Sequence, residues 1–168
     1  MSTQGASPLT SSSSSSRRWI YDVFLNFRGK DTRNSFTDHL YAALQRSSIF
    51  TFRDAERLEK GKSISLELLK AIEESRFAIV ILSRNYASST WCLDELAKII
   101  QCMKEMEMTV LPILYEVDPS DVRKQMGTFA QAFVEHEELL QENIDKVQTW
   151  QGALSEVANL YGWHLQDK

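Results

Sequence analysis

The sequence predicts an α/β domain: a parallel sheet with helices on both faces. Two observations carry this. Apolar, β-rich runs alternate with stretches of helical spacing four times along the chain, and one run, residues 77–82, is apolar at every position, as a strand buried on both faces requires. There are no internal repeats.

The first 18 residues are Ser-rich, with Ser11 to Ser16 unbroken, and are expected to be a disordered leader ahead of a folded domain over residues 19–165. They carry no charged segment followed by an apolar stretch, so a secretory signal is not expected. Residues 20–27 mix aromatic and β-branched side chains and read as a strand ending near Arg28-Gly29. Residues 34–46 place Phe36, Leu40, Ala43 and Leu44 at helical spacing. A short strand over 49–52, a polar loop over 53–62 and a second helix marked by Ile64, Leu68, Ala71 and Ile72 follow.

After the strand at 77–82, a helix from about Ser89 is expected to bury Cys92, Leu96, Ile99, Ile100 and Met103. Residues 109–115 form the next strand, although Pro112 removes one donor from its ladder. Asp118-Pro119 has the form of a helix start, with Asp as N-cap and Pro at the first helical position. A fifth strand or extended segment is expected between about Gln125 and Phe129, then a helix around 129–140. The last helix carries Val147, Trp150, Leu154, Val157, Ala158 and Tyr161 on one face, and Gly162 is placed to close it.

Composition excludes several classes. A net charge of −4 gives no general nucleic-acid footprint. No apolar run is long enough to span a bilayer, so no membrane partner is expected. The two cysteines, Cys92 and Cys102, lie ten apart on one helical pattern, cannot pair there, and suit a reducing compartment. His39, His136 and His164 are scattered and no metal site is expected. Only six glycines are present, with neither a dinucleotide fingerprint nor a P-loop.

Parallel sheets bind ligands beyond the carboxyl ends of their strands. Loops 28–33, 53–61 and 83–91 reach that edge. Arg28 and Arg33 flank Gly29 and could attract phosphates. Trp91 and Glu95, four apart, project from adjacent turns of one helix face. Spacing alone nevertheless favours a first-turn, helix-dipole role for Asp94 and Glu95.

The motifs go further. Residues 21–33 (YDVFLNFRGKDTR) closely resemble the opening motif of plant TIR (Toll/interleukin-1 receptor) domains, and residues 83–96 (SRNYASSTWCLDEL) resemble their third-helix signature. Residues 115–123 and 158–163 match two further blocks, so the resemblance runs in order from Trp19 to His164. It implies a flavodoxin-like, five-stranded parallel sheet and a signalling module of intracellular immune receptors, cytoplasmic or nuclear. It also implies NAD+ nucleosidase activity (NAD+ or NADP+ as substrate, no cofactor) switched on by self-association with other TIR domains. The family's catalytic glutamate falls on Glu95, and its substrate-binding residues on Arg28, Gly29, Arg33 and Trp91. Cys92 matches a cysteine linked to a second, nucleic-acid-dependent activity, which implies a weak nucleic-acid contact. Asp38 and His39 resemble one self-association surface, and Gly162 lies on another. Loop 53–61 resembles the loop that a neighbouring subunit lays against the site.

Three positions depart from the motif: Asn26 for the usual Ser, Lys30 for Glu, and Ala55 where a second Asp commonly follows Asp54. None removes Glu95. The rival reading is a non-catalytic scaffold that recruits partners through its helices, and a third is an inhibitory decoy that joins receptor assemblies.

Overall fold

The computed structural model describes residues 19–32, 36–53 and 64–165. The Ser-rich segment, Arg33 and most of the loop beyond Arg53, with Ala55 and Gly61, lie outside the described residues. Five parallel strands form one sheet: β1 (Tyr21–Asn26), β2 (Thr51–Arg53), β3 (Ser75–Leu82), β4 (Thr109–Tyr115) and β5 (Trp163–Leu165), in the order β2-β1-β3-β4-β5. The helices are α1 (Gly29–Thr32), α2 (Asp38–Arg46), α3 (Leu66–Glu73), α4 (Thr90–Glu105), α5 (Pro119–Lys124), α6 (Thr128–Leu139) and α7 (Ile144–Ala158).

That strand order decides where the helices go. The chain steps one way from β1 to β2 and the other way from β2 across to β3, β4 and β5. Parallel crossovers have one hand, so a reversal of direction puts the connecting helices on opposite faces. Accordingly α2 packs through Leu40, Tyr41 and Leu44 on a cluster formed by Val23, Leu25, Phe27, Ile79 and Ile81. The larger core lies on the other face, where Phe24, Ala78, Val80, Leu82, Val110 and Leu114 meet α3, α4, α6 and α7. The alternation along β1, β3 and β4 is the period of two expected of strands, with both phases apolar because both faces are covered. Asn26 has the same phase as Phe24, and its fully buried side chain meets α4.

Helix starts follow their capping residues. Ser65 accepts the Leu68 N–H at 3.2 Å and Ser89 accepts the Cys92 N–H at 3.1 Å. Asp118 caps α5 as expected, accepting the Ser120 N–H at 2.9 Å with Pro119 in the first turn. Pro112 pairs with Val80 in the β3–β4 register, and pairing to β5 begins only at Ile113.

The structure corrects two expectations. Residues 125–127 form no strand: Gln125 (φ 54°) and Gly127 (φ 60°) turn the chain sharply from α5 into α6. The fifth strand is instead Trp163–Leu165, whose residues are all exposed and so carry no apolar periodicity to recognise. The last helix ends at Ala158, leaving Tyr161 92% exposed beyond it. Gly162 does not close that helix. A Cβ there would stand 2.2 Å from the Pro112 carbonyl oxygen, so glycine is needed for the approach to β4.

Gly162→Ala is therefore expected to destabilise the fold by about 1–3 kcal/mol, as overpacking does. Gly152→Ala, in α7 with nothing within 4 Å of the new methyl, should instead stabilise by about 0.5–1 kcal/mol. Chemical denaturation of the two variants checks both signs.

Candidate functional site

The direction of the chain reverses between β1 and β3, and the carboxyl ends of those strands, Asn26 and Leu82, define the crevice where such sheets hold ligands. Asp31 ties the two loops at this edge together. Its carboxylate accepts Ser83 Oγ at 2.6 Å and the Asn85 N–H at 2.9 Å, and pairs with Arg28 Nη1 at 3.2 Å. Arg28 is thus held beside Gly29 through Nη1.

Glu95 stands in the second turn of α4 and is 1% exposed. The first turn contains no acid, which overturns the helix-dipole role expected for Asp94 and Glu95. Glu95 Oε1 accepts the Asn26 side-chain amide at 2.8 Å. The same amide nitrogen reaches the Cys92 carbonyl at 3.3 Å, and the Tyr86 hydroxyl donates to Asn26 Oδ1. Cys92 Sγ donates to the Phe27 carbonyl at 3.2 Å. Tyr86 is wholly buried, and burial, followed by the nearby Cys92 and Glu95, pushes its phenol well above the usual range, with the Asn26 bond opposing. It therefore remains a donor.

Asp94 does different work on the neighbouring face of α4. It accepts Trp150 Nε1 at 3.0 Å and lies 3.7 Å from Lys146, binding α4 to α7. Burial raises its pKa, with Lys146 and Trp150 pulling the other way.

Trp91 is nine-tenths buried, and its indole Nε1 has no hydrogen-bond partner among the described residues. An unmatched buried donor is costly unless something completes it. Trp91 also lines a groove of about 620 Å³ with Tyr21, Phe52, Ser65, Leu68 and Lys70. Glu95 is not part of that lining. The structure thus brings Cys92 and Glu95 of α4 against Asn26 and Phe27 at the end of β1, with Arg28 and Gly29 next in the chain. Trp91 of the same helix instead faces the groove with Tyr21 and Phe52.

Of the residues expected at self-association surfaces, His39 is exposed, whereas Asp38 pairs with Arg53 at 2.7 Å. Arg53 also lies over the Tyr41 ring at 4.0 Å, which ties the end of β2 to α2. Gly162 is flanked by exposed Tyr161 and Trp163. Both cysteines are buried, and neither is in a disulfide. Among the described residues there is no group of side chains suited to a metal and no helix long and apolar enough to cross a membrane.

A family model for the TIR domain matches residues 20–168. The chain belongs to the TIR-domain family. Disease resistance protein RPV1 of Vitis rotundifolia is 56% identical over 162 residues, covering 96% of this chain and 11% of that protein. TMV resistance protein N of Nicotiana glutinosa is 57% identical over 151 residues, covering 90% of this chain and 13% of that protein. This TIR domain therefore spans only about an eighth of such relatives. Among solved structures, the TIR domains of the activated Roq1 resistosome, which directly recognises the pathogen effector XopQ, are similar at a TM-score of 0.79. Identity there is 54%, over 86% of this chain and 87% of that one. The five-stranded TIR fold expected from the motifs is the fold observed.

Two polar residues at the site are not singled out by sequence reasoning. Tyr86 sits inside the signature without a role, and Asn26 stands only as a departure from a motif. The strand phase of Asn26 is a usable signal, since it shares the face of Phe24.

The raised pKa of Asp94 gives a pH prediction. The folded chain holds its proton more tightly than the unfolded chain, so this group's contribution favours folding below pH 3.8 and is lost as pH rises through the folded value. Asp94→Asn, which keeps an acceptor for Trp150, should be at least as stable as wild type at neutral pH. Its stability should also fall less as pH rises from the acid range, as denaturant unfolding at a series of pH values will show.

Proposed function

We propose that this TIR domain is a plant immune signalling module that cleaves the bond between ribose and nicotinamide of NAD+ (or NADP+) when copies of it associate. The observation that carries the reading is a buried carboxylate, Glu95, held by the Asn26 amide at the carboxyl edge of the sheet. Its support is the family membership together with the likeness to disease resistance proteins and to the TIR domains of a resistosome.

In the reaction, the glycosidic bond breaks and its electron pair leaves with nicotinamide, so the pyridinium becomes neutral and the ribose develops oxocarbenium character. Glu95 stabilises that positive charge and orients the ribose hydroxyls. Arg28, with Arg33, takes the diphosphate, Gly29 permits close backbone approach, and Trp91 offers a ring face and an unused N–H. Water adds to the anomeric carbon and releases a proton, giving ADP-ribose; attack by the adenine ring gives a cyclic product instead. A carboxylate that is 1% exposed must become accessible before ribose can reach it. Contact with a second copy, through the loop after Arg53 and surfaces at Asp38-His39 and Gly162, is the step that opens and completes the site. The compartment is the cytoplasm or nucleus, where buried thiols such as Cys92 and Cys102 stay reduced. A weak nucleic-acid contact involving Cys92 belongs to the same proposal.

One observation favours the rival, a non-catalytic interaction domain: Tyr161 and Trp163 are exposed beside Gly162, while Glu95 is closed off. The two readings separate on resin-clustered protein. Glu95→Gln keeps an acceptor for the Asn26 amide but no charge, and should reduce NAD+ consumption by about a hundredfold or more, the scale of losing one preorganised electrostatic group. Dispersed wild-type protein should be slow. Equal consumption by wild type and Glu95→Gln would overturn the catalytic assignment of Glu95, and none by either would leave the scaffold reading standing.

A further inference from the structure

We propose that Asn26 is a positioning residue for Glu95, with Tyr86 fixing the orientation of its amide. This rests on Glu95 acting at the ribose as described above.

The geometry admits only one sense for the amide. The Cys92 carbonyl can only accept, and it and Glu95 Oε1 both face the same Asn26 nitrogen, at 3.3 Å and 2.8 Å. The NH2 group must therefore point at them, which leaves Oδ1 toward Tyr86. The Tyr86 hydroxyl donates to that oxygen and lies 3.3 Å from the Cys92 carbonyl, so it stands over the same turn of α4. Asn26 and Tyr86 are both fully buried. Rotating the amide by half a turn would oppose oxygen to the carboxylate and to the carbonyl at once, so the donors lock one arrangement.

The consequence for Glu95 is directional. A glutamate side chain has three rotatable bonds, and a carboxylate that must meet a developing cation has to be held before the reaction begins. One short N–H···O bond to Oε1 sets the plane of the group. An amide does this without bringing positive charge, so the field that Glu95 presents to the ribose is not cancelled. A lysine at position 26 would also donate, but would neutralise it. Asn26 is the last residue of β1 and pairs with Val80 of β3, so the sheet fixes its backbone.

The test uses the full chain clustered on resin, measuring kcat and KM for NAD+ alongside the melting temperature. Asn26→Leu, close in shape but without a donor, should lower kcat about tenfold or more with KM within about twofold, the signature of an interaction felt in the transition state. Asn26→Ser, whose hydroxyl also donates, should recover kcat to within about threefold of wild type, and Tyr86→Phe should lower it about threefold. A merely structural role would lower melting temperature and leave kcat per folded molecule unchanged. If Glu95→Gln is inactive while Asn26→Leu turns over like wild type, the positioning role alone is wrong. If Glu95→Gln matches wild type, or wild type is inactive, the catalytic reading falls and takes this role with it. Should Asn26→Leu not fold, Tyr86→Phe decides: a wild-type kcat in that variant overturns the proposal.

Discussion

Three neighbouring parallel strands of this TIR domain, β1, β3 and β4, are apolar in both phases and must be covered on both faces, and the remaining architecture follows from that demand. Parallel connections of a single hand can meet it only if the chain reverses direction within the sheet. The reversal falls between β1 and β3, which puts α2 on one face and α3, α4, α6 and α7 on the other. It leaves a crevice above the strand ends. The loops at that crevice are joined across it by Asp31, and the second turn of α4 lies beside it.

The polar cluster at that edge interrupts an apolar layer. Asn26, Tyr86 and Glu95 are as buried as the leucines around them. Burying such groups is tolerable only when their hydrogen bonds are made, and a partly satisfied network is worse than none. Removing one partner would leave the others with unmade bonds. The same burial shuts the carboxylate away from solvent in a single chain. Stability of the resting domain and readiness for chemistry are thus opposed at this point, and under the proposed function association tips the balance.

Legibility varies with the kind of signal. The core strands are readable because a run of strand length that is apolar at every position, as at residues 77–82, fits a strand covered on both faces and is too short for a buried helix. The cap at Asp118 is local, so neighbouring residues suffice to specify it. Trp163–Leu165 is not readable, because its residues are exposed and too few to show a period, and their strand character comes from pairing with β4. Tyr161 is misplaced by spacing, which continues on paper where the chain has already left the helix. The role of Gly162 needs the position of Pro112, fifty residues earlier.

Local composition and order are enough for the fold class, the alternation of strands and helices, the absence of a disulfide and, through the motifs, the family. Which side chains share the site is a different matter, settled only when the chain folds. Asn26 and Glu95 are 69 residues apart, and nothing local couples them. Likewise, Asp94 and Glu95 are adjacent and chemically alike, yet helix geometry turns one toward α7 and the other toward β1. A carboxylate's role is set by the dielectric and the donors around it, and those are assembled only when helices close over both faces of the sheet.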